Sequence, residues 1–460
     1  MPITAIVLAA GEGTRMKSKH PKVTHQILGR PLVGWAVDAA QQAGADRVVV
    51  VIGNGAEEVQ QALSPWNVET VVQEERKGTG HALKVALEQA DVEDGCVLVL
   101  YGDTPLLVPE TIKSLAQQVT EQGHAAAVLT MTPPDPSGYG RIVVDETGQV
   151  DAIIEHKDCT PAQREELTEC NSGVYAFDAE QLKAHIGDIT PNNVQGEYYL
   201  TDMVEILKHA DQSVVAEHVS DDTETLGVNS RIQLAEAAKV MQRRINQHWM
   251  AAGVTMCDPD LVWIGPDVTI GRDTELLPMT FLNGTTAIGE DCVVGPNTRL
   301  TDTAVADSCT VDETVAEQAV LEKGVTCGPR AYLRPGTHML EHSKAGTHVE
   351  IKKSTIGRNS KVPHLSYIGD TTMGEDVNVG AGSITCNYDG YGKNPTTIGD
   401  RVFIGSNTMM VAPVSLGDDA MTGAASCIVE DVPAGALGLG RARQTNIPGY
   451  SAVHAAKHQK

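Results

Sequence analysis

Aromatic residues are scarce in this 460-residue chain: three Phe, four Trp and ten Tyr. That scarcity argues against aromatic-girdled barrels and favours an aliphatic core. Positive charge is also short, with 35 Lys and Arg against 60 Asp and Glu, a net charge of −25. A general nucleic-acid or anionic-membrane surface needs a basic footprint, so neither partner is expected. No apolar run approaches the roughly 20 residues that span a bilayer. The opening MPITAIVLAAGEG has no basic start and breaks after Ala10, so no signal peptide is expected. Nine cysteines, an odd number without a Cys-x-x-Cys pair, argue against a disulfide framework or a zinc site. A reducing cytoplasm is the expected setting.

What is present is a Gly-rich, aliphatic chain, with 44 Gly and 41% hydrophobic residues. From residue 1 to about 228, short apolar runs alternate with helix-like stretches. Ile3–Ala10, Arg47–Ile52, Glu69–Gln73 and Cys96–Tyr101 read as buried strands. Leu32–Gln42, Ala56–Leu63, Gly80–Glu88 and Pro109–Gln122 read as helices. Such alternation predicts βαβ units and a mainly parallel sheet with helices on both faces. Ligands of such sheets sit beyond the carboxyl ends of the strands, which directs attention to Ala9–Met16 and to Tyr101-Gly-Asp103.

Residues 229–250 read as a linking helix, free of Gly and Pro from 231 to 249. Beyond it, over 251–460, the period changes. Ile264, Ile270, Leu276, Leu282, Ile288, Val294 and Leu300 recur every six residues, four of them followed directly by Gly. The pattern resumes at Ile356-Gly, Ile368-Gly, Val379-Gly, Ile398-Gly, Ile404-Gly and Leu416-Gly. A hexapeptide repeat reads as a parallel β-helix, the apolar residue stacked inside and Gly taking corner dihedrals closed to other residues. The period fails at 306–345 and 385–396, which are expected to be loops leaving the coil.

The segment Leu8 to Met16, LAAGEGTRM, follows a predicted strand. Its small residues let backbone N–H groups approach a phosphate chain, with Arg15 and Lys22 as fixed cations. It is not a Walker A motif, since no Gly-Lys-Ser/Thr follows. L-x-x-G-x-G-T-R-M with a following Pro-Lys resembles the nucleotide-sugar pyrophosphorylases. Agreement continues in order through Gln73, Gly78-Thr-Gly80, Tyr101-Gly-Asp103, Gly138-Tyr-Gly-Arg141, Glu155-His-Lys-Asp158, Asn171-Ser-Gly173, Gln195 to Asp202 and Gly227-Val-Asn229. With the hexapeptide half behind it, the chain over about 1–446 resembles one bifunctional bacterial family. Its members are N-acetylglucosamine-1-phosphate uridylyltransferases and glucosamine-1-phosphate N-acetyltransferases.

The resemblance implies an α/β, Rossmann-like nucleotidyltransferase domain (1–228) followed by a left-handed parallel β-helix (251–460). It implies that Asp103 and Asn229 hold Mg²⁺ and that Arg15 and Lys22 hold the triphosphate of UTP. Leu8, Ala9, Ala10, Gly11, Gln73, Gly78, Thr79, Tyr101 and Gly102 would surround the nucleotide, with Gln73 and Gly78-Thr79 reading uracil. Gly140, Glu155 and Asn171 would hold the sugar. Attack on the α-phosphorus needs no base, because the sugar phosphate oxygen is already an anion.

In the second half, acetyl transfer to an amine does need a base, and a histidine suits neutral pH. By resemblance that base is His364, in HLSYIGD. Arg334, Lys352, Tyr367 and Asn378 match glucosamine 1-phosphate contacts. Ala381, Asn387, Tyr388, Ser406, Ala424 and Arg441 match contacts to acetyl-CoA, with Asn387 as oxyanion donor. Thr347-His348, Pro363 and Gly438-Leu-Gly440 depart from the family's pattern. The implied enzyme is a cytoplasmic homotrimer that makes UDP-N-acetylglucosamine for cell-wall precursors. A rival reading keeps the first activity and makes the β-helix an assembly or regulatory module; a third makes the chain a scaffold without catalysis.

Overall fold

The computed structural model describes residues 1–53 and 55–458. They divide into two compact units, Met1–Arg244 and Ile245–Lys460, so the division falls inside the helix read as a linker.

The first unit begins with β1 (Ile3–Leu8), a short hairpin β2 (Gln26–Ile27) and β3 (Arg30–Pro31), then α1 (Leu32–Gln42), β4 (Arg47–Ile52), α2 (Ala56–Leu63), β5 (Glu69–Val72), α3 (Thr79–Gln89), β6 (Cys96–Tyr101) and α4 (Pro109–Thr120). Four of the eight expected elements, Leu32–Gln42, Arg47–Ile52, Ala56–Leu63 and Cys96–Tyr101, keep their expected bounds, and the others shift by one or two residues. The chain continues through β7 (Ala126–Met131), β8 (Arg141–Val144), β9 (Val150–Ile154), β10 (Cys170–Asp178), α5 (Ala179–His185), α6 (Asp202–His209) and β11 (Val214–His218). The sheet runs β11-β7-β10-β6-β1-β4-β5. Pairs along this path are parallel except where β10 lies antiparallel between β6 and β7; off it, β8 pairs antiparallel with β9 and β10.

Alternate residues of the strands face opposite sides, as the pleat requires. Ala5, Val7, Val48 and Val50 pack with α1, α2 and α4, while Ile6, Leu8, Val49 and Val51 pack with α3, α5 and α6. Two apolar layers therefore clamp the sheet, and the carboxyl ends of β1, β4, β5 and β6 open at one edge. The helix Arg231–Ala251 follows β11 and ends beside Gly253, whose φ of 101° is left-handed.

The second unit is a stack of short parallel strands in three sheets, each strand pairing with the one three strands later. Successive coils therefore lie one strand spacing apart, about 4.8 Å. This is consistent with the left-handed prism that the resemblance implies.

Two expectations need correction. Residues 306–345 do not leave the coil. Strands continue through Thr310–Val311, Val320–Leu321, Cys327, Leu333 and Met339, all in register. The inward residues there, taken in turn from the three sheets, are Val305, Val311, Ala316, Leu321, Cys327, Leu333, Met339 and Ala345, all buried. Five-residue steps and small or sulfur side chains hid the period. At 385–396 the expected excursion is present: a bulging turn closed by pairing of Tyr388 with Lys393.

The second correction concerns the glycines. At Gly271, Gly289 and Gly357 φ is not positive, although Gly295, with φ 109°, takes the expected left-handed corner. Left-handed corners fall instead on residues such as Asp273, Asp291 and Asn359; Asp and Asn tolerate that region better than most residues. Gly is needed for proximity: a Cβ on Gly271 would lie 2.5 Å from the Gly289 carbonyl carbon of the next coil.

Candidate functional site

Where β1 and β6 end, the backbone leaves the sheet in two turns. Leu8, Ala9, Ala10 and Gly11 line a cavity of about 300 Å³ with Lys22, Gln73, Gly78, Thr79, Tyr101 and Asp103. Gly13 has φ 62°, and its missing side chain leaves room for Lys22, whose Cβ would be 2.6 Å from a Cβ there. The glycine so lets Lys22 fold back over the turn.

The Lys22 ammonium donates to Asp103 Oδ2 and, at 2.9 Å, to Asn229 Oδ1. Asn229, far along the chain, is brought in because the Val228 N–H donates to the Asp103 carbonyl at 2.8 Å. Two oxygens from distant segments thus converge on one cation at the cavity wall. Oxygen donors of this kind suit Mg²⁺, which takes few protein ligands and fills its shell with water and phosphate. Gly102 is structural: its N–H donates to the Leu8 carbonyl at 3.0 Å, tying the two turns together. Arg15 sits on the turn Thr14–Met16, exposed, and does not line the cavity.

The loop 77–80 is clamped by segment 197–200. Gly78 has φ 108° and lies where a Cβ would be 2.5 Å from the Tyr198 carbonyl oxygen. Gly80 N–H donates to that oxygen at 2.9 Å, and Thr79 Oγ1 accepts from Leu200 N–H at 3.1 Å. Gln73 is buried and points its amide into the same corner. Tyr101, half-buried, has its phenol pushed above the ordinary range by desolvation.

Thr79, Tyr101 and Glu197 are shared with an adjoining cavity of about 270 Å³. Gly138, Glu155, Asn171, Tyr199 and Thr201 line it too. Burial raises the Glu155 pKa, against a 3.3 Å bond donated by Thr201 Oγ1. Asp202 behind it is raised to about 6 by burial and by Glu205, Glu155 and Asp158. Gly140 lies one layer back, its carbonyl accepting from the Asn171 N–H at 2.9 Å. Glu197 and Arg76 line the first cavity without having been singled out from the sequence. For Glu197 the motif Gln195 to Asp202 was the available signal.

On the prism, two rows of expected residues emerge. Arg334, Lys352, Tyr367 and Asn387 occupy successive coils of one sheet. Arg334 Nη1 donates to Glu350 at 2.9 Å, and Lys352 lies 3.8 Å from Asp370. Asn387 Nδ2 donates to Asp370 Oδ2 at 2.6 Å and to the Tyr367 hydroxyl at 3.3 Å. The second row follows from register: Lys361 pairs with Asn378, Asn378 with Phe403 and Phe403 with Met421. Counting three residues on from each stacks His364, Ala381, Ser406 and Ala424 in a single column, one coil apart. His364 is exposed, and among the described residues no group bonds its ring; Arg441 lies in an exposed segment beyond the last coil.

Asn378 sits on the sheet of the second row, not with Arg334, Lys352 and Tyr367. Tyr388 is on the bulging turn, where the Lys393 ammonium lies 4.3 Å from its ring centre. Asp389 holds that turn by accepting from Tyr391 N–H and Gly392 N–H, which lowers its pKa to about 2. Lys393, Glu350 and Asp370 were not expected from sequence; only the interrupted period pointed to the turn. Among the described residues no cluster of three His, Cys, Asp or Glu is placed to hold a metal, and no helix is long and apolar enough to cross a membrane.

Known proteins resemble both halves. The model of the MobA-like NTP transferase domain matches residues 5–157, and that of the hexapeptide repeat of succinyl-transferase matches residues 395–426. A bifunctional protein GlmU of Heliobacterium modesticaldum is 48% identical over 445 residues, 96% of each chain. That of Streptomyces avermitilis is 48% identical over 455 residues, 98% of this chain and 94% of its own. That of Caldanaerobacter subterraneus is 47% identical over 448 residues, 97% of each. Among solved structures, a UDP-glucose pyrophosphorylase complexed with UDP-glucose aligns with 53% of this chain and 100% of its own, at 19% identity and a TM-score of 0.44.

Proposed function

The chain belongs to the GlmU family of bifunctional proteins, and from that premise we propose which of its residues carry each of two transfers. The enzyme acetylates glucosamine 1-phosphate with its hexapeptide unit and uridylylates N-acetylglucosamine 1-phosphate with its first unit.

In the first unit, the turn Leu8–Gly11 offers backbone N–H groups to the UTP phosphates, and Lys22 neutralises charge on them. Asp103 and Asn229 would hold Mg²⁺, which would supply neutralisation of phosphate charge at that wall. Lys22 then turns from those oxygens to the phosphates. Arg15, exposed at the mouth, closes over the triphosphate tail. Gln73 and Gly78-Thr79 read the base, and Glu155 and Asn171 hold the sugar in the adjoining cavity with Gly140 behind. The sugar phosphate oxygen attacks in line, so the residues position and neutralise and no base is needed.

In the second unit, Arg334 and Lys352 bind the phosphate of glucosamine 1-phosphate, beside Tyr367. His364 takes the proton from its amine as the amine attacks the thioester of acetyl-CoA. Asn387 frees the N–H of its longer bond, that to Tyr367, for the oxyanion. The pantetheine arm lies along Ala381, Ser406 and Ala424 and reaches Tyr388 and Arg441. The column runs parallel to the stack, as an elongated donor requires. Asn378, on a different face from Arg334, completes a neighbour's site in a cyclic trimer. A cytoplasmic setting supplies UTP and acetyl-CoA together.

The convergence of Asp103 and Asn229 on the Lys22 ammonium, at the wall of a cavity ended by Leu8–Gly11, carries this reading. It is tested by a paired assay. Pyrophosphate release from UTP and N-acetylglucosamine 1-phosphate should require Mg²⁺; thiol release from acetyl-CoA and glucosamine 1-phosphate should persist with a chelator. A chelator-resistant first reaction would overturn the assignment of Asp103 and Asn229.

A further inference from the structure

Gln73 has a neighbour that neither transfer uses. Its side-chain nitrogen lies 2.9 Å from His81 Nδ1 and 3.4 Å from the Gly78 carbonyl oxygen. A carbonyl only accepts, so the contact with Gly78 fixes nitrogen, not oxygen, at that end of the amide. Gln73 therefore donates to His81 Nδ1 as well. That contact requires a neutral imidazole with its proton on Nε2. Among the described residues no donor reaches Gln73 Oε1. The side chain, 5% exposed, lines the nucleotide cavity, so its carbonyl is the end offered to a base.

The two pyrimidines differ at the position such a group reads. Uracil carries an N3–H donor, whereas cytosine has a bare acceptor nitrogen there. A carbonyl fixed toward the cavity pairs with the first and repels the second. Sites built around one hydrogen-bond polarity reject the opposite polarity strongly, because buried polar groups are left unpaired. We propose that His81 is a positioning residue for nucleotide choice: as a neutral acceptor, it holds the Gln73 amide in the orientation that takes uracil and refuses cytosine. The inference rests on the assignment of Gln73 as the base reader.

The surroundings of His81 keep it in that form. It stands in the first turn of α3, at the wall of a separate cavity of about 300 Å³ lined by Lys77, Lys84, Glu88 and Tyr198. Burial and the neighbouring Lys77 and Lys84 ammonium groups lower its pKa, opposed by Glu75 and Glu88. The ring centre of Tyr198 is 6.3 Å away. Protonation would set a second donor against the Gln73 NH₂. The relief is a flip of the amide, which gives up the 3.4 Å bond to the Gly78 carbonyl and turns NH₂ toward the base.

The measurement is the ratio of kcat/KM for UTP to that for CTP in the full-length enzyme, in which ionisation of the shared triphosphate and the sugar phosphate cancels. His81→Lys, always a donor, should lower that ratio about tenfold or more. The wild-type ratio should fall as pH drops from about 8 to about 5.5, while the variant's stays flat. A folded His81→Lys enzyme with the wild-type ratio overturns the proposal. If that variant does not fold, a wild-type ratio constant over the same range overturns it. Gln73→Leu separates the layers. If it leaves the ratio intact, Gln73 does not read the base and the underlying assignment falls. If it collapses the ratio where His81→Lys does not, only the role of His81 falls.

Discussion

The two units solve the same problem, holding a phosphorylated sugar beside an activated donor, by opposite means. The first encloses its site. Leu8–Gly11, Lys22, Gln73, Thr79, Tyr101 and Asp103 come from separate turns of one sheet edge, and loop 197–200 closes the wall. The second has no such fold-back. Its candidate residues stand in rows on the outside of a prism, each one coil above the last. An edge of βα turns can gather side chains from far apart in sequence within one chain. A stack can only repeat a position along its axis, so enclosing a substrate needs another surface. That need is what the proposed trimer would meet, and the two units should therefore fail differently when altered.

The largest effect is expected at Asp103. Asp103→Ala removes one of the two oxygens that meet at Lys22, and with it a ligand for charge neutralisation. Uridylyl transfer should fall by about 10³-fold or more, while acetyl transfer stays near wild type. Equal loss of both activities would mean that the contrast between the units is false.

His364→Ala should lower acetyl transfer by about 10²–10⁴-fold and leave uridylyl transfer intact. The residual rate should rise with pH, since solvent can deprotonate the amine. Mixing His364→Ala with Arg441→Ala subunits then tests whether rows from two chains meet. If each site takes one residue from either chain, random mixed trimers should regain about a quarter of the activity, because that share of interfaces receives both intact groups. Verified mixed trimers without recovery would place both residues in one chain.

The same contrast decided what could be read from sequence. Strands β1, β4 and β6 are nearly continuous apolar runs, and these with the shorter β5 alternate with helices, so the pattern alone located them. The strands from Ala126 to His218 were not read: β8 to β10 pair antiparallel and alternate with long turns, which dilutes the apolar signal. In the prism, large inward residues followed by Gly were legible. The coils at 306–345 were not, because small or sulfur side chains, Ala316, Cys327 and Ala345, take inward positions there. Lys22 and Asp103 were flagged by the Gly-rich turn and by the carboxyl ends of the strands, but Asn229 was legible only through resemblance, since no spacing announces that Val228 bonds back to Asp103. Asp370 ends the HLSYIGD segment, but nothing in the sequence showed that Glu350 and Asp370 lie against Arg334 and Lys352.

A glycine swap makes the difference between the units measurable. Gly357 in the prism would place a Cβ against the Gly374 carbonyl of the next coil, where backbone cannot yield cheaply. Gly357→Ala should cost on the order of 1–3 kcal/mol and lower the melting temperature of the second unit by several degrees. Gly11 has nothing within 4 Å of the same position. Gly11→Ala should leave melting unchanged and instead raise the KM for UTP, because the methyl projects into the cavity. Calorimetry beside UTP kinetics reads both. A melting loss at Gly11, or none at Gly357, would erase the distinction between a glycine kept for substrate and one kept for stacking.

The smallest effect concerns charge. The prism pairs opposite charges between coils, as in Arg401 with Asp419 at 2.8 Å, Arg272 with Glu290 and Arg330 with Glu313. The enclosed site instead crowds acids: Asp202, raised to about 6, is half-buried near Glu155, Asp158 and Glu205. A carboxyl whose pKa is higher in the folded than in the unfolded chain leaves the native state binding more protons as pH rises through that interval. Stability is therefore lost between about pH 4 and pH 6 and stays reduced above it. Asp202→Asn removes the ionisation. The variant and wild type should melt together at about pH 4, and the variant's first unit should melt higher at about pH 7.5. Solvent screening of a half-exposed group keeps the gain to on the order of 1 kcal/mol or less, about 2–4 °C. The measurement is the difference in melting temperature across that pH range. A flat difference, or a variant less stable at pH 7.5, would show that crowding at the enclosed site carries no electrostatic penalty and that the two units do not differ in this respect.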